Sequence, residues 1–275
     1  MTLKDKDYII VDQAWDSLYK RLVQDDLIHT NKRTFRYTTL FRAAAVAVLL
    51  SVCIGWYMMS GSSEEELLVL SNEANAPTLA KMLEDGSVVY LSEQSLIKYP
   101  DGFDNNKREV TLHGEAFFEV KKQIGRPFLI NTESAKIEVI GTSFSIKSHS
   151  PFMLSVRSGE VRVTQKGERR TLTAKAGETV RIHNGKLQLV NETAVSFDDY
   201  FNRIQFKDER LGNVADIINM RSELLRLKVG ADVEDRLLTI TVSGSNTAGL
   251  AEMICWALKL EQSQTDNIIH ISQKK

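Results

Sequence analysis

Apolar and polar residues alternate in short runs over the middle of the chain, from about residue 78 to residue 190. A period of two is typical of half-buried β-strands. Gly follows Asn, Asp or Lys at several of the breaks between runs, where a turn needs a positive φ. The pattern therefore predicts an all-β domain over residues 78–190, built as a sandwich or roll of about a dozen short strands.

The run HGEAFFEV, residues 113–120, is one of these predicted strands and carries two glutamates. Alternate residues of a strand share a face. Glu115, Phe117 and Glu119 therefore lie on one face, opposite an apolar face that we predict to be core: Ala116, Phe118 and Val120. The two glutamates are four strand steps apart, roughly 13 Å, whereas the carboxylate pairs of glycosidases are about 5 to 9.5 Å apart. As a pair within one strand, the two glutamates therefore cannot flank a glycosidic bond.

The face formed by Glu115, Phe117 and Glu119 is our candidate surface for a partner. Glutamates on a solvated strand face are the commoner case, although either one could pair with a carboxylate of a neighbouring strand. The sequence leaves open whether Phe117 packs under another sheet or stays exposed.

Residues 203–275 change from the period of two to a strand, helix, strand, strand, helix, strand order, which predicts a small α+β domain. Its two helices carry apolar stripes at helical spacing. We expect the stripe of the first helix to comprise Leu211, Val214, Ile217 and Ile218. We expect that of the second to comprise Leu250, Met253, Ile254 and Ala257, with Cys255 and Trp256 beside them.

Residues 43–63 contain no charged residue, and the apolar run within them has about the length needed to cross a hydrocarbon core of roughly 30 Å. Basic residues that end at Arg42 precede the run and three glutamates follow it, which places the N-terminus in the cytoplasm. We predict a transmembrane helix over residues 43–61, anchored in the lipid bilayer by Arg42, Trp56 and Tyr57. A cleaved signal peptide fits poorly because the preceding segment is long. A buried globular helix is the other alternative.

The segment VDQAWDSLYKRLVQDD, residues 11–26, predicts one amphipathic helix before the apolar run. Its apolar positions are Val11, Ala14, Trp15, Leu18 and Leu22. A single helix of this length is marginal in water, so the apolar stripe needs a partner. The partner is a protein or, as an alternative that the nearby aspartates disfavour, the inner face of the membrane.

Composition narrows the function classes further. The net charge is −1 with 35 Lys and Arg scattered along the chain, so no basic surface for nucleic acid is expected. The two cysteines and five histidines show no disulfide or metal-ligand spacing, and motifs of hydrolases and nucleotide-binding enzymes are absent from the sequence. We expect no enzyme activity and no cofactor or metal.

Seven motifs in a fixed order resemble the FecR family. They are LEDGSVVYL (83–91), SLIKYP (95–100), REVTLHGEAFFEV (108–120), RPFLINT (126–132), IEVIGTSFSIK (137–147), SGEVRVT (158–164) and AGETV (176–180). Members of that family are single-pass anti-sigma factors or sigma regulators of bacterial cell-surface signalling. The C-terminal segment resembles the small domain of FecR-like proteins of the Bacteroides group, which is similar to the short signalling domain of secretins and TonB-dependent transporters.

The resemblance implies two protein partners. An extracytoplasmic-function sigma factor would bind in the cytoplasm, where AWDSLYKRL resembles the Trp-bearing helix of the group and offers Trp15, Leu18, Tyr19 and Leu22 as sigma contacts. The signalling domain of a TonB-dependent outer-membrane transporter would bind in the periplasm. The alternative function is a membrane-tethered envelope module that recognises glycan or a surface protein without a sigma partner.

The expected architecture is mainly β, with six consecutive parts. They are a cytoplasmic segment 1–42, a transmembrane helix 43–61, a linker 62–77, the all-β domain 78–190, a linker 191–202 and the α+β module 203–275.

Overall fold

The computed structural model describes residues 3–25, 37–59, 67–168, 170–191, 195–222, 224–243 and 247–274. The chain divides into two compact units, Met1–Ser63 and Glu64–Lys275. The first unit contains the helices α1, Leu3–Gln24, and α2, Tyr37–Met59. Among the residues described, none of the helices combines the length and the hydropathy of a membrane-spanning segment.

The second unit is mainly β. Its strands in chain order are β1 Leu67–Ser71, β2 Thr78–Met82, β3 Val88–Leu91, β4 Leu96–Pro100, β5 Arg108–His113, β6 Glu115–Glu119, β7 Phe128–Asn131, β8 Ala135–Val139, β9 Ser143–Lys147, β10 Met153–Ser158, β11 Glu160–Gln165, β12 Thr171–Lys175, β13 Thr179–His183, β14 Lys186–Val190, β15 Arg203–Arg210, β16 Arg226–Val229, β17 Leu237–Ser243, β18 Leu260–Thr265 and β19 Ile268–Gln273. Its helices are a 3₁₀ helix Phe197–Phe201, α3 Leu211–Asn219 and α4 Thr247–Leu258.

Strands β1 to β14 form the β domain, a sandwich of two sheets. One sheet has the order β1-β4-β5-β7-β8-β11-β12, and the other begins with β14-β13-β10-β9-β6-β3-β2. Alternating apolar residues of both sheets meet in one core, which includes Leu112 and Ile130 from the first sheet and Phe118 and Phe144 from the second. The mainly β architecture and the sandwich therefore agree with the sequence pattern.

A buried ion pair holds the turn between β2 and β3 against β5. The guanidinium of Arg108 lies 2.7 Å from the carboxylate of Asp85, and both side chains are buried. Arg108 also donates from Nε to the backbone carbonyl of Arg126 and from Nη2 to that of Ile140, and its guanidinium stacks over the ring of Phe128. The pair is charge-neutral, and these extra partners satisfy the other guanidinium nitrogens, which is the condition for burying such a charge.

The C-terminal module, residues 195–274, is continuous with the β domain through the second sheet. Strand β15 pairs parallel with β2 through Ile204 opposite Thr78 and Gln205 opposite Leu79, and β17 pairs antiparallel with β15. Strands β16, β19 and β18 form a separate three-stranded sheet. The α+β module predicted over residues 203–275 therefore shares a sheet with the β domain, because it contributes β15 and β17 to the nine-stranded sheet.

Both predicted linkers contain regular structure. Strand β1 lies within segment 62–77, and the 3₁₀ helix lies within segment 191–202. Periodicity misses β1 because its run LLVLS does not alternate apolar and polar residues, and it misses the 3₁₀ helix because five residues are too few to show a helical period.

The two module helices differ in how well their buried faces were predicted. In α3 the expected stripe is confirmed, with Ile218 partly buried. In α4 the buried face comprises Leu250, Ala251, Ile254 and Cys255, whereas Met253, Trp256 and Ala257 are exposed. The prediction for α4 is wrong by about a quarter turn, because small Ala251 and Cys255 pack closest to the module core.

Candidate functional site: the aromatic interface

The two phenylalanines of strand β6 lie in different cores. Phe118 is 0% exposed and stacks on Phe144 within the sandwich, with ring centroids 5.5 Å apart. Phe117 is also 0% exposed, but it belongs to the core formed with the C-terminal module. Because adjacent strand residues point to opposite faces, one strand stabilises both cores.

Phe117 is surrounded by aromatic rings of the 3₁₀ helix. Its ring centroid is 5.6 Å from those of Phe197 and Tyr200 and 5.3 Å from that of Phe201. Tyr90 of β3 makes an edge contact with Phe201 at 4.9 Å. We call these five residues the aromatic interface. Tilted and edge-on pairs at such distances add about 0.5 to 1.5 kcal/mol each beyond the area that they bury.

The two glutamates of β6 hold the rim of the aromatic interface. Glu115 accepts a hydrogen bond of 2.7 Å from the hydroxyl of Tyr200, and Glu119 accepts one of 3.0 Å from the hydroxyl of Tyr90. A guanidinium nitrogen of Arg221, just after α3, is 3.7 Å from a carboxylate oxygen of Glu119. Each glutamate therefore has a structural partner in the described part of the chain.

Arg221 also contacts the rings beside it. Its guanidinium lies over the ring of Phe201 and 5.8 Å from the ring centroid of Tyr90. A cation over an aromatic face is attracted by the ring quadrupole, more strongly where water is excluded. Arg221 thus joins the C-terminal module to the β domain through the carboxylate of Glu119 and the ring of Tyr90, while Phe201 packs on it within the module.

Burial raises the pKa of both interface tyrosines above the ordinary value. For Tyr90 the cause is desolvation, with the charge of Glu119 adding to it, and Arg221 acts in the opposite direction. For Tyr200 the cause is again desolvation, followed by the charge and hydrogen bond of Glu115. Both hydroxyls are therefore neutral donors at physiological pH.

A second polar contact lies along the join between β2 and β15. The ammonium group of Lys81 is 3.0 Å from the carboxylate of Glu209, whose side chain is buried. The other carboxylate oxygen of Glu209 accepts from the side-chain amide of Asn213 in α3. The C-terminal module is therefore attached by backbone pairing, an ion pair and the aromatic interface together.

Of the predicted partner surface Glu115, Phe117 and Glu119, the phenylalanine is buried, so its ring is not exposed to another protein, and the two glutamates are partly buried. Phe117 is covered by the chain's own 3₁₀ helix, and both glutamates bond to groups of the same unit. The ring of Phe117 is therefore not available to a glycan either.

The other predicted site residues lie in the first unit. Trp15 is 64% exposed on α1, Leu18 and Tyr19 are also exposed, and Leu22 is partly buried. Trp56 is 74% exposed, Arg42 is exposed, and the side chain of Tyr57 lies outside the described residues. Their predicted roles in sigma binding and membrane anchoring stay predictions.

Sequence reasoning missed Tyr200, Phe201 and Arg221. The run SFDDYF places aromatic residues at positions 197, 200 and 201, which is the spacing of one helical face, and this was the available signal. Within the described residues, no group of three or more His, Cys, Asp and Glu could hold a metal ion.

Comparison with known proteins gives one family and one set of structures. A sequence model of the family described as FecR protein matches residues 77–162, which extend from just before β2 into β11. Two crystal structures of a protein from Parabacteroides distasonis ATCC 8503, provisionally described as an anti-sigma factor, are 22% identical to this chain with a TM-score of 0.46. Each alignment covers 76% of this chain and 100% of that chain. No curated protein matches the chain.

Proposed function

We propose, from the match of residues 77–162 to the FecR protein family, that the protein is a single-pass anti-sigma factor of the inner membrane. It passes a signal from a TonB-dependent outer-membrane transporter in the periplasm to an extracytoplasmic-function sigma factor in the cytoplasm. The family match is the observation that carries the proposal. It is supported by the order of the helix α1, an apolar segment and a β domain along the chain.

The membrane part of the proposal rests on the sequence. Residues 43–63 lack charge, basic residues up to Arg42 precede them, and Trp56 lies near the outer end. These features favour a span over residues 43–61 with the N-terminus in the cytoplasm. Alkaline phosphatase is active only outside the cytoplasm, so its fusion after residue 275 should be active and its fusion before residue 1 inactive. The opposite result would contradict this orientation.

The cytoplasmic part of the proposal rests on α1. Trp15, Leu18 and Tyr19 are exposed apolar side chains on one helix, at spacings of three and four residues. Exposed aromatic anchors of this kind are enriched at binding hot spots. We propose that this stripe, with Leu22, binds the sigma factor.

The sigma contact is tested with the full chain in detergent. Each extracytoplasmic-function sigma factor of the host genome is purified and its affinity for the chain is measured separately. One factor should bind, and Trp15→Ala combined with Leu18→Ala should weaken it at least about tenfold, which corresponds to about 1.4 kcal/mol. Gln13→Ala, on another face of α1, is the matched control and should have no effect.

The alternative of an envelope module without a sigma partner makes the opposite prediction. No sigma factor of the host would bind, and deletion of residues 1–30 would leave the cellular phenotype intact.

The transporter part of the proposal is tested separately with a reporter gene that depends on the sigma factor. The reporter should respond to the transporter's substrate in a strain with the intact transporter and not in one whose transporter lacks its periplasmic signalling domain.

A further inference from the structure

A cavity of about 340 Å³ lies between the strands and the helices of the C-terminal module. On the strand side it is lined by Ile204 and Val242, and on the helix side by Ile218 and Leu250. This volume is at the lower end of ligand sites, which are about 300 to 1,000 Å³. Its mostly apolar lining suits an apolar group better than a charged one.

The cavity shares two residues with the contact that joins the module to the β domain. Phe201 and Arg221 line the cavity. Phe201 also packs on Phe117 and Tyr90, and Arg221 lies beside Glu119 and Tyr90. A group that enters the cavity therefore contacts the same two side chains that hold the module on strand β6.

Strand β17, at the edge of the nine-stranded sheet, lies beside the cavity. Val242 of β17 lines the cavity and is paired with Ile204 of β15. Among the described strands, β17 pairs with β15 alone and ends the nine-stranded sheet. An edge strand presents unpaired backbone N–H and C=O groups, which an added strand can satisfy.

We propose that the cavity and the free edge of β17 form one binding site for an extended segment of a partner protein. The segment adds beside β17 and inserts an apolar side chain next to Phe201 and Arg221. A small apolar molecule would fill the cavity but would leave the edge of β17 unpaired, so the two features together favour a polypeptide. The inference rests on the proposed function, since it names how the outer partner is bound.

Occupation of the site acts on the aromatic interface. An apolar side chain beside Phe201 and Arg221 competes with their contacts to Phe117 and Glu119, so binding weakens the attachment of the module to β6. Coupling between two equilibria is reciprocal. A variant with a weakened aromatic interface, such as Phe117→Leu, should therefore bind the segment more tightly than the wild-type chain does.

The test uses the full chain in detergent micelles and peptides from a random display library. Selected peptides are measured against the wild type, Ile218→Trp and Met253→Trp. The first variant fills the cavity, and the second makes the same change on the exposed surface of α4. We expect at least a tenfold loss of affinity for Ile218→Trp, less than a twofold change for Met253→Trp, and a severalfold gain for Phe117→Leu.

Hydrogen exchange of the wild-type complex tests the same site without any substitution. Bound peptide should slow exchange in residues 237–243, because their edge becomes paired, and should speed it in residues 197–201. Three results would overturn the proposal: no selectable peptide, peptides that bind Ile218→Trp as well as the wild type, or binding without slower exchange in β17. None of these measurements involves a sigma factor, so failure here is distinct from failure of the proposed function.

Discussion

Phe117 and Phe118 are neighbours in sequence, equally buried and chemically identical, yet they stabilise different parts of the molecule. Phe118 lies between the two sheets of the sandwich, on a strand that is paired on both sides, with β3 and with β9. Phe117 points from the opposite face of β6 and packs against the short 3₁₀ helix. The strands around Phe118 are therefore held in place by backbone hydrogen bonds. The 3₁₀ helix that covers Phe117 is held mainly by contacts between side chains.

This difference suggests that the two cores have different tasks. A contact made mainly by side chains of a short helix can open locally at less cost than a sheet can separate. The sandwich is then the more rigid part of the second unit, and the aromatic interface is the part that opens more easily.

The largest expected effect is that of Phe118→Ala. Removing a fully buried ring from a close-packed core costs about 3 to 5 kcal/mol of the free energy of unfolding. Because both sheets border the cavity left behind, the whole β domain should lose this stability. Chemical denaturation followed by circular dichroism measures it. A loss below about 1 kcal/mol would contradict the place of Phe118 in the sandwich core.

Phe117→Ala removes a ring of the same size, and its effect should fall on a different part of the molecule. The C-terminal module should loosen, with faster hydrogen exchange in residues 195–222, while β5, β7 and β8 keep their protection. The free energy lost should be near the lower end of about 3 to 5 kcal/mol, since the 3₁₀ helix can move to fill the gap. Equal loss of protection in both sheets would contradict the separation of the two cores.

Alkaline pH should act on the aromatic interface selectively. Tyr90 and Tyr200 have pKa values raised by burial in the folded chain, and an unfolded tyrosine titrates near about 10. The contribution of these tyrosines to the free energy of unfolding is complete below that pH. It is lost as the pH rises above it, by at most about 1.4 kcal/mol per pH unit for each tyrosine.

Hydrogen exchange of residues 197–201 is measured at pH 8 and at pH 11, and each rate is compared with the intrinsic exchange rate at the same pH. Tyr200→Phe is the matched variant: it should be less stable than the wild type at pH 8, having lost its bond to Glu115, and should lose less on going to pH 11. An identical alkaline loss in wild type and variant would refute the role of Tyr200.

The sequence predicted the two faces of β6 correctly but could not say what covers the second face. Alternation is a local property, so Phe118 on the all-apolar face was identified as core. The cover of Phe117 comes from residues 197–201, about eighty positions later, and is decided by tertiary packing. The helix α4 shows the same limit, because Met253 fits an apolar stripe as well as Ala251 does, and only packing distance selects the smaller residue.

The central claim is that Phe117, and not Phe118, couples the β domain to the C-terminal module. Two double-mutant cycles test it, one with Phe117→Leu and Phe201→Leu, the other with Phe118→Leu and Phe201→Leu. Stability measured by denaturation should give a coupling energy of about 0.5 to 1.5 kcal/mol for the first pair, as expected for aromatic contacts. The second pair should be additive within about 0.3 to 0.5 kcal/mol. Equal coupling in the two cycles, or none in the first, would contradict the account.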